Sequence, residues 1–411
     1  MAEALFSPPS SIFAPARVPP HMLDFHHLAG QLHDFSAYRR DEDRRHAGRL
    51  AAALDALSAC STGWEALRDA VLQEAAEAGR RHTPLRAVPH AAPDGSHACP
   101  PRPTPITVVA TDGSQIYPDR HVEPACYLLN VSRVAFHYGT DEPPVLQAVP
   151  QLRYRARDLE DLAAEGDDAH FDVTVEVVSA LRDELELHTL YETAAAERRA
   201  GRPLVALADG TLIRWMLRGM KNRALEDRLV ARYLDALDRF RADGLPVASY
   251  VSFPANAEVV HLLRFWRGED DADPPEDTLR GLLDRHLFER ALAPGERSAV
   301  FASASRILDD YREHRIVYFY VRAGREVGRV EMPAWVAAQP GWVDTIHAVV
   351  LDEVEKGGGY PMILSEAHER AVVRAPERDL FYRILERQMH AAGLPVALGS
   401  GKAASKRVPR I

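Results

Sequence analysis

A chain of 411 residues with a formal net charge of −10 is long enough for two or more domains with a sizeable core. It is too acidic to grip nucleic acid over its whole surface without a local basic channel or a partner. Its hydrophobic fraction of 46% is that of a globular protein, no apolar run is long enough to span a bilayer, and three scattered cysteines (Cys60, Cys99 and Cys126) argue against a disulfide framework or a cysteine-ligated zinc site and fit a reducing cytoplasm.

Residues 1–22, with Ser7-Pro-Pro-Ser-Ser and Arg17-Val-Pro-Pro, read as a flexible tail without the apolar centre of a secretory signal. Residues 23–81 read as a helical hairpin. Leu50, Leu54 and Leu57 recur at helical spacing, and Ser61-Thr-Gly63 parts them from Trp64-Glu-Ala-Leu-Arg. Residues 82–105, rich in Pro, His, Ala and Gly, read as a linker or long loop. After residue 105 the texture changes to short β-branched runs. Residues 107–111, 125–131 and 134–137 predict a meander, 171–199 a long helix, 204–208 a strand, and Leu212-Ile-Arg-Trp-Met-Leu the start of a further helix. Residues 245–253 predict another strand, and 316–321 with 327–332 a hairpin turning at Gly324. Helices are expected at 342–356, 361–374 and 376–392, ahead of a basic tail, Ser400-Gly-Lys-Ala-Ala-Ser-Lys-Arg. Together these predict one α/β domain over residues 106–411, a mixed sheet flanked by helices.

Two stretches carry the chemistry. Thr107-Val-Val-Ala-Thr-Asp112-Gly-Ser and Leu204-Val-Ala-Leu-Ala-Asp209-Gly-Thr each end an apolar run in an acid, a glycine and a hydroxyl residue. Taken singly, each Asp-Gly is also what a tight turn uses, and Asp209 also fits a helix N-cap. Two aspartates leaving two buried strands can meet at one end of one sheet, where carboxylates suit hard divalent cations and, in pairs of sites, phosphoryl chemistry. Projected on a helix, Glu192 continues the stripe of Val177, Leu181, Leu185 and His188, so its carboxylate is expected where the helix packs. His368 shares a helix face with Leu364, Ala371 and Val372, a setting equally open to a core histidine. Gly399-Ser-Gly-Lys402 lacks the phosphate-loop spacing, and no H-E-x-x-H or G-x-S-x-G occurs.

Asp112-Gly-Ser, Glu192, Asp209-Gly-Thr, Tyr360-Pro and His368 stand in an order and spacing that resemble the NurA nuclease family, and Arg329-Val-Glu-Met-Pro-Ala-Trp-Val resembles its bacterial branch. The resemblance covers residues 106–411. It implies an RNase H-like fold and a Mn2+-dependent nuclease, with Mg2+ as the other candidate cation, that degrades DNA 5′→3′ in DNA-end processing. It also implies a homodimer docked on a HerA-type hexameric translocase, working in the cytoplasm at the nucleoid. On this resemblance Asp112 bridges two cations, Glu192 and Asp209 complete the acid set, His368 is the fourth ligand and Tyr360 lines the site. Oxygen donors with one imidazole tilt the choice toward Mn2+. Arg120, Arg214, Lys402, Lys406 and Arg407 are the candidates for holding backbone phosphates. Two other classes are carried: a non-catalytic docking subunit of a DNA translocase, and an actin-like phosphotransferase. The second is disfavoured because such folds place a residue between the acid and the glycine, whereas Asp112-Gly113 and Asp209-Gly210 are adjacent.

Overall fold

The computed structural model describes residues 25–77, 84–118, 126–154, 175–214, 223–269 and 279–394. The chain falls into two units, residues 1–49 and 50–411. What is described of the first is helix, the beginning of α1 (Phe25–Ser61). α1 is separated from α2 (Trp64–Glu77) by Thr62 and Gly63. Expectations for residues 1–22, for 215–222 and for the basic tail lie outside the described residues.

Among the described residues, the second unit is built on one twelve-stranded sheet. In chain order its strands are β1 (Ala87–Pro89), β2 (Ser96–His97), β3 (Ile106–Thr111), β4 (Gly113–Ile116), β5 (Tyr127–Tyr138), β6 (Val145–Arg153), β7 (Leu204–Asp209), β8 (Val247–Val251), β9 (Arg297–Ser298), β10 (Phe301–Ser303), β11 (Ile316–Ala323) and β12 (Glu326–Pro333). The helices are α3 (Val175–Glu197), α4 (Arg223–Ala242), α5 (Glu258–Trp266), α6 (Asp284–Ala291), α7 (Ala334–Ala337), α8 (Trp342–Lys356), α9 (Met362–Ala371) and α10 (Ala375–Ala391).

At the centre the spatial order is β6-β5-β3-β7-β8. β3, β5 and β6 pair antiparallel, α3 then leads to β7 parallel to β3, and α4 leads to β8 parallel to β7. This is the RNase H-like arrangement. β12, β11 and β10 extend it beyond β8. All six residues of β3 are buried, as expected of a strand covered on both faces. Its alternate residues feed two layers. Val109 packs with Leu187, Leu190, Leu237 and Phe240 of α3 and α4, while Val108 and Ala110 pack with Val349 and Val350 of α8 and Ile363 and Ala367 of α9. No helix among the described residues is long and apolar enough to cross a membrane.

The differences from the expected elements have local causes. The runs at 125–131 and 134–137 are one strand, β5, because Ser132 and Arg133 between them continue its pairing, opposite Asp112 and Thr111. β1, inside the stretch read as a linker, pairs antiparallel with β10, with Ala87 opposite Ser303. Pro89 sits at its end, where a missing N–H is tolerated. Leu212 and Ile213 lie in a bend and Arg214 in irregular chain rather than in helix, and the rest of that expected helix, residues 215–217, lies outside the described residues. α4 is absent from the expected elements, although Leu225, Leu229, Tyr233 and Leu237 recur at four-residue spacing and are all buried.

α8 contributes a pH-dependent element to this core. His347 is fully buried, and its ring nitrogen Nε2 bonds the carbonyl of Gly295 at 2.9 Å. Burial pushes its imidazole down to about 4, and the charge of Arg297 acts in the same direction. Since the folded value lies below the ordinary histidine value, this stabilisation is complete above about pH 6.5 and is lost as pH falls from there toward about 4. Thermal midpoints are therefore expected to drop over that window in the native chain and to drop less in His347→Gln, which keeps an N–H donor but does not titrate. Equal slopes in the two proteins would refute the assignment.

Candidate active site

Asp112 lies between β3 and β4 rather than at a strand's exit. The pairing with β5 keeps its register through it, with Ala110 opposite Val134 and Gly113 opposite Val131. At Asp112 the bonding changes, however. Its N–H donates to Ser132 Oγ at 3.0 Å, while its carbonyl accepts from Ser132 N–H at 2.9 Å. Asp209 is the last residue of β7, and the parallel register sets Thr111 beside Ala208. The two aspartates therefore follow adjacent residues at the same end of neighbouring parallel strands.

Each is met by one of the two residues from the far end of the chain. His368 Nδ1 bonds Asp112 Oδ2 at 2.8 Å, and the Tyr360 hydroxyl donates to Asp209 Oδ1 at 2.6 Å. His368 is placed by α9, which is pinned at both ends. Glu353 of α8 accepts from the N–H of Ile363 at 2.8 Å in the first turn of α9, where backbone donors lack helical partners. At the other end, Ser114 Oγ and Asn130 Nδ2 both donate to the carbonyl of Ala371, the latter at 2.7 Å. The serine of Asp112-Gly-Ser thus ties the histidine helix to the strand that follows the aspartate. Tyr360 is placed by Tyr250 of β8, whose ring meets it edge-on with centroids 5.9 Å apart. The Asp209 carboxyl sits above the ordinary carboxylate range. Displacement of water by surrounding protein is the first cause and the charge of Asp112 adds to it, against the hydrogen bonds from Tyr360 and Gly210. Burial and the Asp209 charge together hold the Tyr360 phenol well above its ordinary value, so it remains a proton-bearing donor.

Glu192 does not join this group. Its side chain is 48% exposed and pairs with Arg133 Nη2 at 2.6 Å. The stripe that predicted its burial does not persist along α3, because the helix changes partners. Val177, Val178 and Leu181 pack with Tyr127, Leu129, Leu225 and Leu229, whereas Leu187, Leu190 and Ala194 pack on β3 and β7 from a different helical face. The third acid at the site is Glu186, at the changeover. Its carbonyl accepts from Thr111 Oγ1 at 3.0 Å, and Arg182 Nε lies 3.0 Å from its Oε1. Burial raises its carboxyl to about 8, with the charges of Asp183 and Asp112 adding to the effect against Arg182. The signal in the sequence is the charge-dense run Arg182-Asp-Glu-Leu-Glu186 directly after the apolar stripe of Val177, Val178 and Leu181.

The two Asp-Gly pairs use their glycines differently. Gly210 has φ +74°, the left-handed conformation that favours glycine. Gly113 is needed for clearance, since a Cβ there would lie 2.5 Å from Glu186 Oε1 and 2.8 Å from Arg182 Cγ. Gly113→Ala is accordingly expected to displace Glu186 from Asp112. It should lower any activity that needs both acids by about 10- to 100-fold, with a stability loss of about 1–3 kcal/mol. Unchanged turnover in a folded Gly113→Ala protein would show that Glu186 has no part in the site.

Arg214 is held inside rather than offered to solvent. Its Nη1 lies 3.3 Å from Asp183 Oδ2, its guanidinium lies over Tyr233 at 4.7 Å, and its N–H donates to Tyr311 Oη at 2.7 Å. Its charge acts on Asp183 and Glu186. Arg120, Lys402, Lys406 and Arg407 lie outside the described residues. Three carboxylates and an imidazole are the donor types a Mn2+ or Mg2+ ion takes. They stand in pairs, Asp112 with His368, Asp209 with Tyr360 and Glu186 with Arg182. Among the described residues no three His, Cys, Asp or Glu side chains are set around one point.

The NurA domain matches residues 106–373 of this chain. The crystal structure of the NurA nuclease from Sulfolobus solfataricus is similar at 18% identity and a TM-score of 0.46, over 72% of this chain and 88% of that one. A second NurA crystal structure is similar at 12% identity and a TM-score of 0.39, over 70% and 90%. LC9-RNase H1, a type 1 RNase H with the type 2 active-site motif, is similar at 14% identity and a TM-score of 0.21, over 38% and 67%. The curated proteins contain no match.

Proposed function

The chain belongs to the NurA domain family, and from that premise we propose that it is a metal-dependent deoxyribonuclease that degrades DNA from 5′ ends. The observation that carries the reading is the placement of Asp112 and Asp209 at one end of adjacent parallel strands, with His368 on the first and Tyr360 on the second. Asp112, Asp209, Glu186 and His368 would hold the cations, Mn2+ by preference for a set that includes an imidazole. When bound, the cations supply an activated water and neutralise charge on the scissile phosphate.

The remaining work falls to the chain itself. Tyr360, kept protonated, donates a hydrogen bond at the Asp209 end of the site, toward the carboxylate or a phosphate oxygen. His368 is 63% exposed, and with Nδ1 held by Asp112 Oδ2 its Nε2 is the ring nitrogen that a cation would take. Arg182 balances Glu186 and, with Arg214, offsets the repulsion that Asp183 and Asp112 exert on it. A chain of net charge −10 grips a polyanion weakly by itself. We propose that it works as a homodimer docked on a HerA-type hexameric translocase, which supplies DNA to the site during end resection.

The test uses end-labelled linear DNA with the full chain in EDTA, Mg2+ or Mn2+, with and without a HerA-type ATPase. Mn2+-dependent shortening from 5′ ends, stronger with the ATPase, is the expected result. No degradation under any condition, together with stimulation of the ATPase, would replace this reading with that of a docking subunit.

A further inference from the structure

β12 carries a charged pair where an apolar one would pack. Arg329 is 0% and Glu331 2% exposed. Arg329 Nε donates to Glu331 Oε1 at 2.8 Å, its Nη1 donates to Glu258 Oε1 at 2.7 Å, and its guanidinium lies 3.5 Å from the centroid of the Tyr318 ring. The other oxygen of Glu331 turns away from this buried group. Glu331 Oε2 accepts from Thr211 Oγ1 and from the N–H of Leu212, both at 2.8 Å. Those residues follow Asp209-Gly210 directly. The same turn is bonded once more, from Gly210 N–H to the carbonyl of Tyr250 at 3.0 Å. A hydrophobic set of equal volume would stabilise β12 as well or better, but it cannot accept two hydrogen bonds from the turn that bears Asp209.

We propose that Glu331 is a positioning residue for Asp209. Arg329 orients its carboxylate, and the carboxylate fixes the Thr211 and Leu212 end of the turn, so that Asp209 faces Asp112 in one conformation. This role rests on the nuclease reading only in that Asp209 acts as a cation ligand, and its effect is read on cation binding, apart from cleavage.

The experiment compares the full-length wild type with Glu331→Gln, Thr211→Val and Thr211→Ser, measuring Mn2+ binding by calorimetry and kcat and KM for DNA separately. Thr211→Val keeps the side chain's shape and removes its donor, and Thr211→Ser restores the donor. Should Glu331→Gln fail to fold, the Thr211 pair decides. Glu331→Gln and Thr211→Val are expected to weaken Mn2+ binding about tenfold and to lower kcat with little change in KM, while Thr211→Ser stays within about twofold of wild type. Wild-type Mn2+ affinity in folded Thr211→Val and Glu331→Gln would overturn the proposal, and so would a wild type that binds no Mn2+. If the affinity series holds but no variant, wild type included, degrades DNA, the nuclease reading fails while the positioning role stands.

Discussion

Asp112→Asn is expected to lower metal-dependent DNA degradation by at least about 10³-fold, about 4 kcal/mol in the barrier, and to leave the fold in place. The substitution isolates charge from geometry. Asp112 Oδ1 accepts from the N–H of Gly113 at 2.8 Å, and an amide oxygen does the same. The backbone bonds to Ser132 do not involve the side chain's charge. What is lost is the negative charge beside His368 and next to the end of β7, on which cation binding and the Asp209 carboxyl both depend. The check is a cleavage time course at saturating Mn2+ with a thermal melt of the same preparation. A rate near that of the wild type would remove Asp112 from the site, and with it the assignment of this end of the sheet as catalytic.

The residues of that candidate site were unevenly legible in the local sequence. Asp112 and Asp209 announce themselves because a buried β-branched run ending in Asp-Gly is a short-range pattern. The partners His368 and Tyr360 do not. They reach the aspartates across more than a hundred residues, and only their resemblance to a family's order marks them in the sequence. At Glu192 the expected element forms but the side chain faces Arg133 and solvent instead of the packing interface. α3 runs within the span expected for it, yet a stripe extrapolated from Val177, Leu181 and Leu185 assumes one packing partner for the whole helix. The helix leaves the cluster around Tyr127 and Leu129 for the one on β3 and β7, and Glu186 at the crossing is the acid turned toward Asp112. Burial of Arg329 and Glu331 was equally invisible. A strand reading Gly328-Arg-Val-Glu-Met332 alternates polar and apolar as a solvent-facing strand does. Only the approach of α5 with Glu258, and of the Asp209 turn, makes its polar face an interior one.

Arg329→Met is expected to be the most destabilising single change outside the acid set, at about 3–5 kcal/mol, because it strands two buried carboxylates that now share one cation. Glu258 and Glu331 are each 2% exposed, and the ion pairs of both, among the described residues, run to Arg329. The Tyr318 ring also loses the guanidinium on its face, a contribution of about 1–2 kcal/mol at a desolvated site. Denaturant midpoints of the wild type and Arg329→Met measure the loss, and a difference below about 1 kcal/mol would mean that water or protons reach the glutamates readily. The triple variant Arg329→Met, Glu258→Leu, Glu331→Leu separates what the network does for stability from what it does for the site. An apolar set of similar volume should recover most of the lost stability, but it leaves Thr211 Oγ1 and Leu212 N–H without their acceptor. If the triple variant is as stable as the wild type and still binds Mn2+ weakly, the buried charges serve the geometry of the Asp209 turn. If it recovers both stability and Mn2+ affinity, they serve neither, and β12 is held by packing alone.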